Sequence, residues 1–442
     1  MATTPYIQHL IALPSEHQVY ANARLTTRNG KLICESGLRM AVHQLEALDQ
    51  AQLAIPPFAV TSIDNTLTAE ELYQDFLHYL QSNTRLKQLS QTHLNHNVLK
   101  TCCTLACRYP VIKQHLTVMR SQLSDTYQQS LFCAWLSTIV MQHINKQGAE
   151  IGSMFIAGLC HDIGMLHIDP AILRSTRELT VEQWLEIKTH PQRGHRLLAQ
   201  IPKLPSSIAQ TALDHHELPD GTGYPNGKLA NSIHEYAHFI RLLDSLFAIA
   251  RKHPDCNLGD VTPMLEVSLN IKNDAVGRAL IELLTPLKSP QTLVPIELMP
   301  YFTEVVKSEL THTLTCTKIL HKCLLSFGFK HQHKGLHALQ NAMFHIVSAI
   351  DRSSVINSAY VRFLEQTAQQ QLSHYYTEIE RAFIMNKEVR FQLNKLRQNL
   401  WQVVTKEHGD LSLELTDCLM ALEDVPEPTT ARELNDLWVM SL

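Results

Sequence analysis

The stretch TAEELYQDFLHYL, residues 68–80, sets the terms for most of the chain. Thr68 and Glu71 stand at the spacing of a capping box, in which two side chains satisfy the first N–H groups of a helix. Leu72, Phe76 and Leu80 then follow on one helical face. Helical patterning of this kind dominates from there to the C-terminus, so the chain reads as mainly α. Residues 1–60 read differently. In LTTRNGKLIC, Asn29-Gly30 lies between two short β-prone runs, the form of a tight hairpin, and predicts a small β-containing unit at the N-terminus.

A chain of 442 residues is long enough for two or three domains. Between residues 115 and 250 the helical segments are broken by turn-rich loops, above all LPDGTGYPNGKL, with three glycines and two prolines in twelve residues. A second Pro-punctuated stretch, residues 283–300, marks the start of a further helical region. The expected division is a mixed region over 1–110, a helical domain over 111–295 and a C-terminal helical domain over 296–442. In the last of these, Leu372, Tyr375, Ile379, Ala382, Asn386, Val389, Leu393, Leu396, Leu400 and Val403 recur at alternating three- and four-residue steps. That is a heptad seam with one polar member, as in paired coiled coils. Tyr376, Phe383 and Val404 widen the stripe to a third column, as in an intramolecular bundle that also has the means to pair.

Charge narrows the partners. Lys plus Arg number 38 against 42 for Asp plus Glu, giving a net charge of -4, so no broad basic face is implied and long nucleic acid is not an expected partner. The ten cysteines are irregularly spaced, Cys102, Cys103 and Cys107 alone being clustered, and they read as reduced thiols. The N-terminal text MATTPYIQHLIALPSE lacks the charged region of a signal peptide, and no segment reads as the roughly 20 apolar residues of a membrane span. The expectation is a cytoplasmic protein with no membrane contact.

The residues that carry chemistry are His161 and Asp162 in CHDIGMLHIDPAIL, His190 in THPQRG, His215 and His216 in LDHHELPDGTGYP, and Asp244 in FIRLLDSLFAIA. Their intervals are long, so they meet only if several helices bring them together. Imidazole nitrogens and carboxylate oxygens suit first-row metals such as Fe, Mn or Zn, and six such groups suffice for two ions with open positions. Each has a plain alternative: with 25 histidines any one is more often a surface or core residue, and Asp244 has Arg241 nearby as a partner.

In this order, and with this loop, the segments AGLCHDIGMLHIDPAIL, LTVEQWLEIKTHPQRG, ALDHHELPDGTGYPNG and RLLDSLFAI resemble the HD-GYP family, a branch of the HD phosphohydrolase superfamily, over roughly residues 120–290. The resemblance implies an all-helical catalytic domain, two or three divalent ions with Fe or Mn ahead of Zn, and hydrolysis of cyclic di-GMP. Metal ligation falls to His161, Asp162, His190, His215, His216 and Asp244, with His161 and Asp162 at the catalytic centre. The loop residues Gly221, Gly223, Tyr224 and Pro225 would meet substrate, since residues without a Cβ let backbone N–H groups approach a phosphate. A turn that only closes the domain is the structural alternative.

The chain departs from the family at four places. Gln129 stands where a ligand histidine is usual, and an amide oxygen binds such metals more weakly. Asp125, one helical turn earlier, occupies the place of a glutamate found in some members. Met165 replaces the lysine of the HD-x-GK element; such an electrostatic loss costs about 10²–10³ in turnover. After Asp244 the text ARKHPDC keeps only Pro254 of a nucleotide-holding element, with Arg251 and Lys252 as nearby cations. Three functions remain open, the weakest being a related phosphohydrolase acting on another nucleotide. Of the two stronger, one is a slow metal-dependent cyclic di-GMP phosphodiesterase. The other is an inactive cyclic di-GMP- or metal-binding module that signals to a protein partner, or to a second copy, through the C-terminal helices.

Overall fold

The computed structural model describes residues 4–441 apart from 28, 51–56, 178, 253–255, 269–274, 290, 331–332, 371, 407–409 and 435–436, so Pro254 and His331 lie outside the described residues. By its internal contacts the chain falls into two compact units. One comprises residues 1–217, 224–226 and 233–247, the other 218–223, 227–232 and 248–442.

The first unit opens with α1 (Pro5–Ile11), β1 (Val19–Ala21), β2 (Leu25–Thr26), β3 (Leu32–Cys34), α2 (Val42–Gln50), α3 (Pro57–Val60) and β4 (Thr61–Ile63). β2 and β3 pair antiparallel with Leu25 opposite Cys34, and Gly30 takes a positive φ of 78° in the turn between them. The hairpin expected at Asn29-Gly30 is present. β1 pairs antiparallel with β4, so the β-structure is two separate two-stranded ribbons. Tyr6 of α1 stacks on His115 and His167 with ring centroids 4.7 and 5.2 Å away, and Phe58 meets both imidazoles edge-on. Burial, with Arg174 adding to it, lowers His9 to about 4. Burial likewise lowers His115 to about 4, and burial with the neighbouring His115 lowers His167 to about 3.

Helices then take over: α4 (Ala69–Ser82), α5 (Thr84–His93), α6 (His96–Ala106), α7 (Pro110–Gln122), α8 (Ser124–His143), α9 (Gly148–Cys160), α10 (Pro170–Leu173), α11 (Val181–Ile187), α12 (His190–Leu198), α13 (Ser206–Asp214) and α14 (Glu235–Lys252). The capping box of α4 forms as read. The Thr68 N–H donates to the Glu71 carboxylate at 2.7 Å and the Glu71 N–H donates to the Thr68 hydroxyl at 3.2 Å, a device worth about 1 kcal/mol.

α8 has no polar face over its central turns, because every residue from Ser130 to Met141 is buried. It is a core helix, with α4 and α7 packed against it. α9 packs directly on it. A Cβ on Gly158 would stand 2.9 Å from the Ala134 backbone, so this glycine sets the closeness of the two helices. Composition alone would let Gly148–His167 cross a bilayer, at a mean hydropathy of 1.2, which corrects the expectation that no such run exists. The reason for its apolarity is internal: 78% of the run is buried, and it is α9 with the turn that follows.

The second unit contains α15 (Thr262–Ser268), α16 (Ala275–Leu284), α17 (Met299–Ser326), α18 (Lys334–Ser353), α19 (Ser358–Gln370), α20 (Tyr376–Lys406) and α21 (Asp410–Glu423). α20 packs on α15, α17, α18 and α21. It buries the seam residues Ile379, Ala382, Val389, Leu393, Leu396 and Leu400 together with Tyr376 and Phe383 of the third column. Asn386 is buried 3.5 Å from Glu309 of α17, whose carboxylate also accepts from Arg390 and pairs with Lys387 at 3.5 Å. The heptad pattern therefore builds a bundle within the chain. His333 caps α18 by accepting the Leu336 N–H at 3.0 Å, while His337 and His345 lie on that helix.

Within the same unit the turn at residues 218–223 is shaped by Asp220. Its carboxylate accepts from the Thr222 N–H at 2.9 Å and the Thr222 hydroxyl at 2.6 Å, and Gly221 follows at a φ of 78°. All ten cysteines of the chain are free thiols.

Candidate metal centre

Three helix ends deliver the imidazoles. His161 is the residue after α9, His215 the residue after α13, and His190 follows α11 by three positions. The last carbonyls of a helix have no intrahelical donor. Each histidine supplies one: Nδ1 of His161 donates to the Gly158 carbonyl at 2.8 Å, Nδ1 of His190 to Ile187 at 2.7 Å, and Nδ1 of His215 to Ala212 at 2.9 Å. With the proton fixed on Nδ1, the lone pair of a neutral ring sits on Nε2 and points away from the helix.

Those lone pairs meet at Asp162. Its Oδ1 lies 3.1 Å from His190 Nε2 and 3.3 Å from His215 Nε2, and its Oδ2 lies 3.2 Å from His161 Nε2. His190 Nε2 and His215 Nε2 are themselves 3.2 Å apart. Acceptors so close, in a buried site, repel one another unless a proton or a cation sits among them. Without a cation the proton goes to His161: burial opposes its charge, but Asp162 outweighs burial and raises it to about 9. Burial drives His215 down to about 4, and burial with the adjacent His215 drives His216 well below its ordinary value, so both are neutral ligand-ready rings at neutral pH.

Asp162, His190, His215 and His216 each present a ligand atom within 4.8 Å of all the others, the single such group among the described residues, and it is able to hold one metal ion. The donor set, three imidazoles and a carboxylate, fits a first-row divalent ion. His161 touches this group through Asp162. Asp244 is brought in from α14 by Gln129, whose amide donates to Asp244 and, at 3.3 Å, to Asp162. Burial, with the charge of Asp162, raises Asp244 to about 6. Asp244 thus has Gln129 as its partner. Asp125 is exposed at the start of α8 and stands outside the four-residue group.

Tyr224 stacks on His216 with centroids 4.7 Å apart and planes 23° from parallel, and its N–H donates to the His216 carbonyl at 3.1 Å. Pro225 follows it, and the next residue, Asn226, donates its N–H to Glu217 at 2.6 Å. Glu217, buried beside the histidine pair, therefore holds the loop. Gly221 and Gly223 belong to the second unit, as do Arg251 and Lys252, which lie exposed in the last turn of α14.

Sequence reading overlooked Gly164. A Cβ there would stand 2.0 Å from the His190 carbonyl oxygen and 2.6 Å from the Gly194 N–H nitrogen, so the bare glycine lets the turn carrying Asp162 seat against α12. The signal was present in the text: a glycine two residues after the His-Asp pair and another four residues after His190.

A family model described as HD domain matches residues 110–258. The chain carries an HD-phosphohydrolase domain, a divergent one of HD-GYP type. The chain is 30% identical over 141 residues to a cyclic di-GMP phosphodiesterase of Pseudomonas aeruginosa, covering 31% of this chain and 34% of that one. It is 30% identical over 131 residues to a cyclic di-GMP phosphodiesterase of Thermotoga maritima, covering 29% and 36%. Against the 3'3'-cGAMP-specific phosphodiesterase 1 of Vibrio cholerae, identity is 29% over 137 residues, covering 31% and 32%. The match thus spans about a third of the length of these curated relatives.

Proposed function

We propose that the HD domain is a metal-dependent cyclic di-GMP phosphodiesterase with slow turnover. The observation that carries this reading is the convergence of the His190 and His215 Nε2 atoms and the Asp162 carboxylate, with His216 completing a group whose ligand atoms lie within 4.8 Å of one another. In this reading Asp162, His190, His215 and His216 hold a first ion. His161 and Asp244 contribute to a second once the Gln129 amide is displaced, with Fe or Mn favoured over Zn. A bound divalent ion lowers the pKa of water and withdraws charge from a phosphodiester.

The protein's own residues do the rest. The Nδ1–H bonds to Gly158, Ile187 and Ala212 keep the rings aimed, and Tyr224 closes one side of His216. Hydrolysis adds water across a P–O bond; the sugar oxygen leaves with a proton, giving the linear dinucleotide. Turnover is slow because Met165 brings no cation to the phosphate and Gln129 no imidazole to the metals. The division into a regulatory region over 1–110, the HD domain over 111–295 and a C-terminal bundle over 296–442, which also serves as a docking surface for a signalling partner or a second copy, completes the proposal.

One observation favours a second reading. The Gln129 amide already bridges the Asp162 and Asp244 carboxylates, and a donor in that place competes with a second cation. A chain that keeps it under all conditions binds cyclic di-GMP without cleaving it. The test is to load the full chain with Mn or Fe, count bound metal, and follow cyclic di-GMP and 3'3'-cGAMP by chromatography. Cleavage abolished in Asp162→Ala supports the enzyme, and tight binding without cleavage supports the module. A chain that takes up neither metal nor nucleotide overturns both.

A further inference from the structure

The short helix α11 stands immediately before the ligand His190, and its outer face is apolar where nothing in the fold demands it. Val181, Trp184 and Leu185 are 72%, 49% and 58% exposed. One turn beyond Trp184, at the end of the same helix, the ammonium of Lys188 lies 6.0 Å over the Trp184 ring and 5.4 Å over the Tyr224 ring. Tyr224 in turn stacks on His216 of the metal cluster. A continuous strip therefore runs from the candidate metal through Tyr224 and Lys188 to an exposed indole.

Two features distinguish this strip from an ordinary helix surface. First, Lys188 has no carboxylate within ion-pair distance among the described residues. The nearby Glu186 is taken by Arg193 at 2.7 Å, which leaves the Lys188 charge available to an incoming anion. Second, the cation is parked between two aromatic faces, which holds its stem over the rim of the site. A flat exposed ring beside a cation and a phosphate-binding centre is the arrangement by which proteins hold a nucleobase, with the base stacked on the ring and the backbone charge neutralised alongside.

Resting on the phosphodiesterase reading of the same site, we propose that Trp184 and Lys188 form its purine-binding rim. A guanine base of a cyclic dinucleotide stacks on the Trp184 indole, and the Lys188 ammonium meets the phosphate that Met165 leaves without a cation. Lys188 thus supplies a charge that the turn after Asp162 lacks. Trp184 selects for a nucleotide over a bare phosphodiester.

The test measures equilibrium binding to the Mn-loaded full chain by titration calorimetry, with cyclic di-GMP and with inorganic phosphate as probes, alongside metal content. Trp184→Ala is expected to weaken cyclic di-GMP about tenfold while keeping its metal and its phosphate affinity, and Trp184→Phe to recover most of the loss. Lys188→Ala is expected to weaken both probes, and Lys188→Arg to rescue both. Wild-type affinity for cyclic di-GMP in Trp184→Ala and Lys188→Ala overturns the inference alone. So does loss of metal in Trp184→Ala, since that marks a structural role. A wild-type chain that loads metal but fails to bind cyclic di-GMP overturns the phosphodiesterase reading and this inference with it.

Discussion

The side-chain amide of Gln129 donates to the carboxylate of Asp244, tying the core helix α8 to α14 across the candidate metal centre. The same amide reaches Asp162 at 3.3 Å, so one neutral donor serves two buried acids. A neutral donor relieves less repulsion than a cation would, and Asp244 accordingly stays raised to about 6 by burial and by Asp162.

Replacing Gln129 by histidine exchanges that donor for a lone pair. Bound metal in Gln129→His, counted by mass spectrometry after loading with Mn, is expected to rise by about one ion per chain, and cyclic di-GMP cleavage to rise at least about tenfold. An unchanged metal count would show that Asp244 and His161 do not complete a second site.

Met165 lies half-buried in the turn after Asp162, its N–H donating to the Asp162 carbonyl at 2.9 Å. Met165→Lys places an ammonium on this turn without disturbing that bond. The expected result is a kcat raised by about 10²-fold with metal content constant. A change confined to KM would mean that the lysine only binds substrate.

Gly164 carries the tightest approach in the domain, with a Cβ position 2.0 Å from the His190 carbonyl oxygen. Gly164→Ala is expected to lose about 3 kcal/mol or more in urea unfolding, since backbone rather than a flexible side chain must move. Metal binding should fall with it, because the displacement separates Asp162 from His190.

Acid should weaken the fold through a different set of histidines. His9, His115 and His167 are held below their ordinary 6.5 by burial, the first two at about 4 and the third at about 3. Between those values the unfolded chain takes up protons that the folded chain refuses. Stability from this cluster is therefore complete above pH 6.5 and drains away as pH falls toward 4. The urea midpoint is expected to drop between about pH 7.5 and about pH 5.5, and the drop to shrink in His115→Phe. Arg174 and Arg193, the cations facing His9 and His167, deepen the effect.

The elements readable from sequence were those governed by local chemistry. Thr68 and Glu71 fix a helix start by themselves, and Asn29-Gly30 fixes a turn. The site residues were legible as a set of ligand types in order, and four of the six meet within reach of one ion. What the text could not convey depended on contact between distant segments. The approach of Gly164 to His190 is one case, and the Gln129 bridge is another. The heptad seam of α20 is a third: its period says that a face is buried but leaves open whether the partner is another chain or, as here, α17 and α18.

Three imidazoles of the candidate centre, those of His161, His190 and His215, take their bearing from a main-chain oxygen three residues earlier. Main chain is common to all sequences, so this aiming survives the exchange of any neighbouring side chain that leaves the helix end in place. A lineage can therefore shed a peripheral lysine or histidine, and drift in rate or in ligand preference, while the grip on the ion stays where three helices finish.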